Sequence, residues 1–300
     1  MTSPGQRMRN ASASDDRLTN ALERTSLHIV AAYLLGTTLP LLFSTLIDAS
    51  WTLRLSHAIA LVAVVWLAER KRRPTPARAW TPLILIPALY IELRWIIAAV
   101  GRPHADRIIA AWDVDLFGSS PSHELAMRWQ SQPLSELLHL CYLAYYAIVF
   151  LPPAVLWLQG RRREFALTVQ ALAIAYTICF VVFVVMPVDG PRFLSGPSIA
   201  PDGPIRTLVV RILSAGSSKG TAFPSAHVSA SIVAGICALR YYRLLGIAIM
   251  VVTFGMMVGA VYGGYHYAID VIAGLAAGLV AATIAKSVER IITARSTAPQ

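Results

Sequence analysis

Residues 165–187 read FALTVQALAIAYTICFVVFVVMP, without one Asp, Glu, Lys or Arg. An α-helix needs about 20 apolar residues to cross the hydrocarbon core of a bilayer, and this run is long enough. Arg161-Arg162-Arg163 stands before it and Asp189-Gly190-Pro191-Arg192 just after it, so both ends return to polar surroundings. Working outward, seven more apolar runs have a similar character: 27–47, 53–69, 80–100, 134–158, 224–239, 244–263 and 266–287. The first two lie close enough to form a tight hairpin. The run 80–100 is the least regular, because it carries Pro82, Pro87, Glu92 and Arg94. Eight runs of this kind predict an all-α, polytopic membrane helix bundle.

Composition agrees. Of 300 residues, 56% are hydrophobic and only 14% charged, against about 25% charged in a typical soluble domain. The net charge of +10 can signal nucleic acid, but its distribution excludes that partner. The basic residues fall in bursts between apolar runs, at Arg70-Lys71-Arg72-Arg73, Arg161-Arg162-Arg163, and Arg240 with Arg243. Such bursts belong to loops at an anionic membrane face. They place both termini in the cytoplasm and the loops 101–133 and 188–223 on the outer face, as in a plasma membrane of bacterial type. Cys141, Cys179 and Cys237 lie singly in apolar runs with no metal-binding spacing, so they read as small buried hydrophobes. Residues 1–24 are polar and read as a disordered tail.

Three segments carry chemistry, and all fall on the outer face. In Phe223-Pro224-Ser225-Ala226-His227, proline suits the first turn of a helix. His227 is thereby set at a helix N-terminus, where free N–H groups favour phosphate. In Tyr262-Gly263-Gly264-Tyr265-His266-Tyr267-Ala268-Ile269-Asp270, the glycines make a turn and a helix begins near His266. Asp270 lies four residues after His266 and shares its face. A carboxylate on one ring nitrogen raises the basicity of the other, which suits a nucleophile toward phosphorus. Met186-Pro187-Val188-Asp189-Gly190-Pro191-Arg192 supplies an arginine able to hold phosphate in a bidentate grip.

These segments resemble the signatures of the type-2 phosphatidic acid phosphatase superfamily. Phe-Pro-Ser-Ala-His at 223–227 is similar to the second signature, His-Tyr-x-x-Asp-Val at 266–271 to the third, and Pro-x-x-Gly-Pro-Arg at 187–192 to the first. Asp113-x-x-Leu116-Phe117-Gly118-x-x-Pro121 resembles a segment of the branch containing inositol phosphorylceramide synthases. The resemblance implies a six-helix core with an N-terminal two-helix hairpin added. The domains implied are a tail at 1–24, a hairpin at 25–79, a catalytic membrane domain at 80–290 and a tail at 291–300. It further implies that His266 is the nucleophile and forms a phosphohistidine, that His227 protonates the leaving group, and that Asp270 orients His266. Phosphate contacts fall to Arg192, Ser225 and Lys219, and no metal or other cofactor takes part. The implied partner is a lipid phosphate in the bilayer.

Two departures from the family pattern matter. Val185 stands where the superfamily has a lysine, and Ala260 where it has an arginine. Two phosphate-binding cations are therefore missing, which points to a phosphotransferase acting on a diester, with a lipid phosphate phosphatase as the alternative. Lys219, Arg206 and Arg211 share the outer loop and are candidates to replace them. A carrier would spread charge over the bundle midplane, and this chain concentrates it at one face. His139, with Glu136 three residues earlier, is a second-rank candidate. His28, His57, His104 and His123 read as loop or interfacial residues, and Tyr142, Tyr145 and Tyr146 as interface anchors.

Overall fold

The computed structural model describes residues 4–43, 51–70 and 75–297. Helices α1 (Pro4–Phe43) and α2 (Trp51–Glu69) make the expected hairpin. Helix α3 (Pro76–Val100) opens on Thr75, whose side chain accepts the Arg78 N–H, and ends at Gly101 with φ 65°. Two short helices, α4 (Asp106–Phe117) and α5 (Pro121–Arg128), occupy the next loop. Helices α6 (Gln132–Leu143) and α7 (Tyr145–Leu158) meet at a 41° bend. Helix α8 (Arg162–Val185) leads into the second long loop, which holds the one-turn α9 (Pro191–Leu194) and α10 (Pro204–Gly216). Helices α11 (Ala226–Tyr241), α12 (Arg243–Tyr262) and α13 (Ala268–Thr297) complete the bundle. Among the described residues no strand forms, and Val188 and Thr221 make an isolated bridge.

Six of these helices are long and apolar enough to cross a membrane, and the bent α6–α7 pair makes a seventh if it counts as one span. Helix α11 is shorter, at 16 residues. Helix α8 is apolar on all sides and runs through the centre, packed by α1, α3, α7, α11 and α13. A helix with no polar face belongs in a protein interior or in lipid, and here it is enclosed by its neighbours.

The all-α membrane bundle stands, with six or seven spans in place of the eight apolar runs and with further differences. Residues 4–24 are helical and continue into the first span; Leu18 and Leu22 dock on Ala166 and Leu167 of α8, which gives the segment an apolar stripe to bury. The run 134–158 is broken at Ala144 rather than straight. Helix α13 runs through the expected tail to Thr297, and residues 298–300 lie outside the described residues. The end of the first apolar run, 44–47, and the Lys71-Arg72-Arg73 cluster also lie outside them. The irregular third span proves continuous. Its Glu92 is buried and bonds His57 Nδ1 at 2.8 Å, so the intramembrane carboxylate has a partner, and His57 is a buried residue rather than an interfacial one.

Close approach between α11 and α13 brings the two histidine segments together. A Cβ at Gly274 would lie 2.5 Å from the Ser225 carbonyl oxygen, and one at Gly278 would lie 2.8 Å from that of Ser229. Small residues one turn apart on facing helices let membrane helices touch at backbone distance. The start of α11 therefore rests directly against the first turns of α13.

Candidate active site

Ser225 caps α11 through its side chain, which accepts the Val228 N–H, and its own N–H donates to the Asp270 carbonyl at 2.9 Å. Two backbone turns, one opening α11 and one opening α13, are thus tied together. His227 lies in the first turn of α11. Its ring lies 5.1 Å from that of Tyr142, nearly parallel, and 4.2 Å from that of Tyr145. The bend at Ala144 aims both tyrosines at this histidine, so these two are site walls and not interface anchors. Tyr146 is exposed.

His266 sits in the turn between α12 and α13, buried, with its ring 5.9 Å from that of His227. Its Nδ1 faces two acceptors, the Ala222 carbonyl at 3.0 Å and Asp270 Oδ2 at 3.4 Å. A carbonyl only accepts, so Nδ1 carries the proton. Nε2 then holds the lone pair, which accepts from the Ser225 hydroxyl at 3.3 Å. Burial is the main cause that pushes this imidazole down to about 4; the Arg192 charge adds to it and the Ala222 carbonyl opposes it. The ring is therefore neutral near pH 7, as a nucleophile must be. Asp270 is fully buried and spends its shortest bond, 2.8 Å, on the Tyr267 N–H.

Arg192 completes the group. One Nη donates to the Ser217 hydroxyl at 2.6 Å, and its buried Nε has no hydrogen-bond partner among the described residues. Arg192, His227 and His266 line one small polar pocket, with Asp189, Ser218 and Thr221 around it. An arginine guanidinium lining a polar pocket offers a place for an anion. An apolar cavity of about 210 Å³ adjoins it between α3, α7, α8 and α10, and His227, Tyr90, Leu213 and Ser217 line both.

The other sequence candidates fall elsewhere. Lys219 is exposed, with Nζ 5.5 Å from the Phe193 ring. Arg206 donates to the Ser198 carbonyl at 2.7 Å and pairs with Asp202, and Arg211 is exposed. None of the three lines the pocket. Ser225 does not line it either; its hydroxyl is turned to Val228 N and His266 Nε2. His139 is fully buried outside the pocket, bonded to the Ser135 carbonyl and set edge-on to Tyr265. Val185 is exposed on the bundle surface, while Ala260 is buried and its carbonyl accepts the Tyr265 and His266 N–H groups.

Sequence reasoning missed the Ala222 carbonyl, because a backbone acceptor carries no residue signature. It also passed over Asp106 as a functional position. His104, Asp106 and Asp189 bring ligand-type atoms within 4.8 Å of one another. Asp106 is already committed, accepting the Asp189 and Gly190 N–H groups at 2.9 Å each, and Asp189 Oδ1 accepts the Gly220 N–H. The trio is a latch between loops.

The family model of the PAP2 superfamily matches residues 107–284, from α4 to the body of α13. No curated protein and no solved structure matches the chain. The match takes in His227, His266, Asp270 and Arg192 and more than half of the sequence, and the protein therefore belongs to the PAP2 superfamily.

Proposed function

We propose that the protein is a membrane phosphotransferase. It moves a phosphoryl group or phospho-head-group from a lipid donor, through a phosphohistidine at His266, to an alcohol acceptor, without a metal. Members of the superfamily are generally phosphatases or phosphotransferases. One observation carries the lipid assignment: His227 forms the wall between a polar pocket holding Arg192 and His266 and an apolar cavity of about 210 Å³. A molecule with a phosphate at one end and an acyl chain at the other matches that pair of compartments.

In the first step, the His266 Nε2 lone pair forms a bond to phosphorus and the bond from phosphorus to the lipid alkoxide breaks. His227, which takes up a proton as the anionic phosphate binds beside it, gives that proton to the departing oxygen. In the second, an acceptor hydroxyl gives its proton back to His227, its oxygen bonds phosphorus, and the N–P bond breaks. Arg192 and the N–H groups opening α11 face the phosphoryl oxygens, where fixed donors lower the barrier most. Through both steps the Nδ1–H stays on its Ala222 and Asp270 acceptors.

Transfer is favoured over hydrolysis by the charge count. Arg192 is the single cation lining the polar pocket among the described residues. A phosphodiester presents one negative charge fewer than a monoester, so it asks for fewer cations. The segment Asp113 to Pro121 leans the same way, toward the inositol phosphorylceramide synthase branch. The deciding experiment offers the purified protein, in nanodiscs with EDTA, labelled phosphatidylinositol or phosphatidic acid, with and without a long-chain alcohol. Preferred use of the diester and a head-group-bearing alcohol product are expected. Equal use of phosphatidic acid with no transfer product would establish the phosphatase reading. Activity that EDTA abolishes and magnesium restores would refute the metal-free route.

A further inference from the structure

Helix α4 lies outside the polar pocket, yet its carboxylates reach both catalytic loops. Asp113 Oδ1 accepts the Ile269 N–H at 2.8 Å, and Oδ2 accepts that of Ala268 at 3.0 Å. Those are the first donors of α13, which no intrahelical acceptor can serve. One helix is thus capped by a carboxylate from another, 155 residues distant along the chain. Two turns earlier, Asp106 accepts the Asp189 and Gly190 N–H groups and the Tyr267 hydroxyl. Positions seven apart share a helix face, and both carboxylates are buried, with Asp113 1% exposed. Ile108, Trp112 and Leu116 form a separate, exposed stripe. The two buried carboxylates of α4 are therefore spent on the protein, and its apolar stripe is left to its surroundings.

We propose that Asp113 is a positioning residue of the reaction, setting the depth and angle of His266 by capping the helix that His266 and Asp270 open; this rests on the role proposed for His266. The chain of contacts is short. Ala268 and Ile269 lie between His266 and Asp270 in sequence, and Asp270 holds the Tyr267 N–H and faces His266 Nδ1. Fixing the two N–H groups on Asp113 fixes the turn that carries His266 and the Asp270 carboxylate facing it. The same bonds offset the positive end of α13. The start of α11, beside His227, is left as the helix terminus that meets phosphate.

Asp113→Asn tests this because it keeps shape and removes one acceptor. The amide offers a single oxygen, and its NH₂ must face an N–H donor. Ala268→Pro deletes the Ala268 donor from the other side of the bond, and proline is accepted at the first helical position. Each variant is measured as the full chain in nanodiscs for kcat, KM, melting temperature and the rate of His266 carbethoxylation by diethyl pyrocarbonate. Exposed His123 serves as internal standard. A misplacement near 1 Å costs about 100-fold, so both variants should lower kcat by roughly 10- to 100-fold, with KM within about threefold. His266 labelling relative to His123 should rise at least about threefold as the turn loosens. Folded variants with wild-type kcat and labelling overturn the proposal. So does a lower melting temperature with unchanged kcat per folded molecule, or a loss of kcat with unchanged His266 labelling. The labelling arm needs no substrate, so it still decides if no lipid phosphate is turned over by the natural protein.

Discussion

Replacing Asp270 by Asn isolates what the carboxylate charge contributes at His266. The two His266 Nδ1 contacts are unequal: the Ala222 carbonyl is nearer at 3.0 Å, and Asp270 Oδ2 is at 3.4 Å. The Asn side chain can keep its oxygen toward the Tyr267 N–H, now bonded at 2.8 Å, and place its NH₂ where Oδ1 has no partner. Geometry and tautomer then survive, and only charge is lost. Once phosphorus bonds Nε2, the ring becomes cationic and a facing carboxylate stabilises it. Opposite charges about 4 Å apart at an effective dielectric near 20 attract by about 4 kcal/mol. The contact exceeds the usual hydrogen-bond range, so about 2–4 kcal/mol is the contribution, roughly 30- to 1000-fold in rate. That falls short of the ~10⁴-fold loss when a triad carboxylate alone sets the tautomer. The assay is turnover of head-group-labelled lipid by nanodisc-embedded protein, with His266→Ala as the inactive baseline. A loss of about 10⁴-fold or more would show that Ala222 does not hold the ring. A loss under about threefold would show that the charge is not used.

Further outcomes rest on the same geometry. His266 is held down to about 4 from its ordinary 6.5 by burial, so its reaction with diethyl pyrocarbonate should lose rate on acidification near pH 4; an inflection above 6 would refute the assignment. The unfolded chain binds that proton at the ordinary value, so folded stability should fall as pH drops from 6.5 toward 4, and a melting temperature flat across that window would contradict it. Ala260→Arg, which would restore a family cation, should yield unfolded protein, because the position is fully buried in an apolar cluster; a folded variant would show room that the packing denies. In a chain freed of its three cysteines, Ser119→Cys should react with an impermeant reagent outside intact cells and Ser287→Cys only after lysis. The reverse pattern inverts the orientation.

The all-α membrane bundle and the His266–Asp270 relation were readable because both rest on short periodicities, long apolar runs in one case and a four-residue step in the other; the count of eight runs overshot the six or seven spans because α11 is short. The break at Ala144 was not, since no proline or glycine marks it, and its purpose shows only when Tyr142 and Tyr145 are seen against His227. The helix at 4–24 escaped for a related reason. Its apolar residues are few, and they become a stripe only when α8 offers Leu167 to receive Leu18 and Leu22. Loop cations misled in the opposite sense. Lys219 and Arg206 share the outer loop with Arg192, but Lys219 lies against the Phe193 ring and Arg206 is bonded to the Ser198 carbonyl, and neither lines the pocket. Asp113 carried a family resemblance without a visible task, because the two N–H groups it serves lie 155 and 156 residues later.

Helix α11 has 16 residues, so it is about 24 Å long against a hydrocarbon thickness of about 30 Å. Its far end is held by Arg240, which shares Glu289 of α13 with Arg163 of α8. With that end set flush with one hydrocarbon boundary, a helix of this length would stop about 6 Å short of the other, with His227 at its start. A head group reaching it must sink below its neighbours' level while its chain stays in lipid. Mismatch of this kind costs fractions of a kcal/mol per Å, so the thickness of the host bilayer becomes a variable of the reaction. A membrane of shorter acyl chains brings its surface down toward the histidine, and one of longer chains adds distance that every substrate must travel.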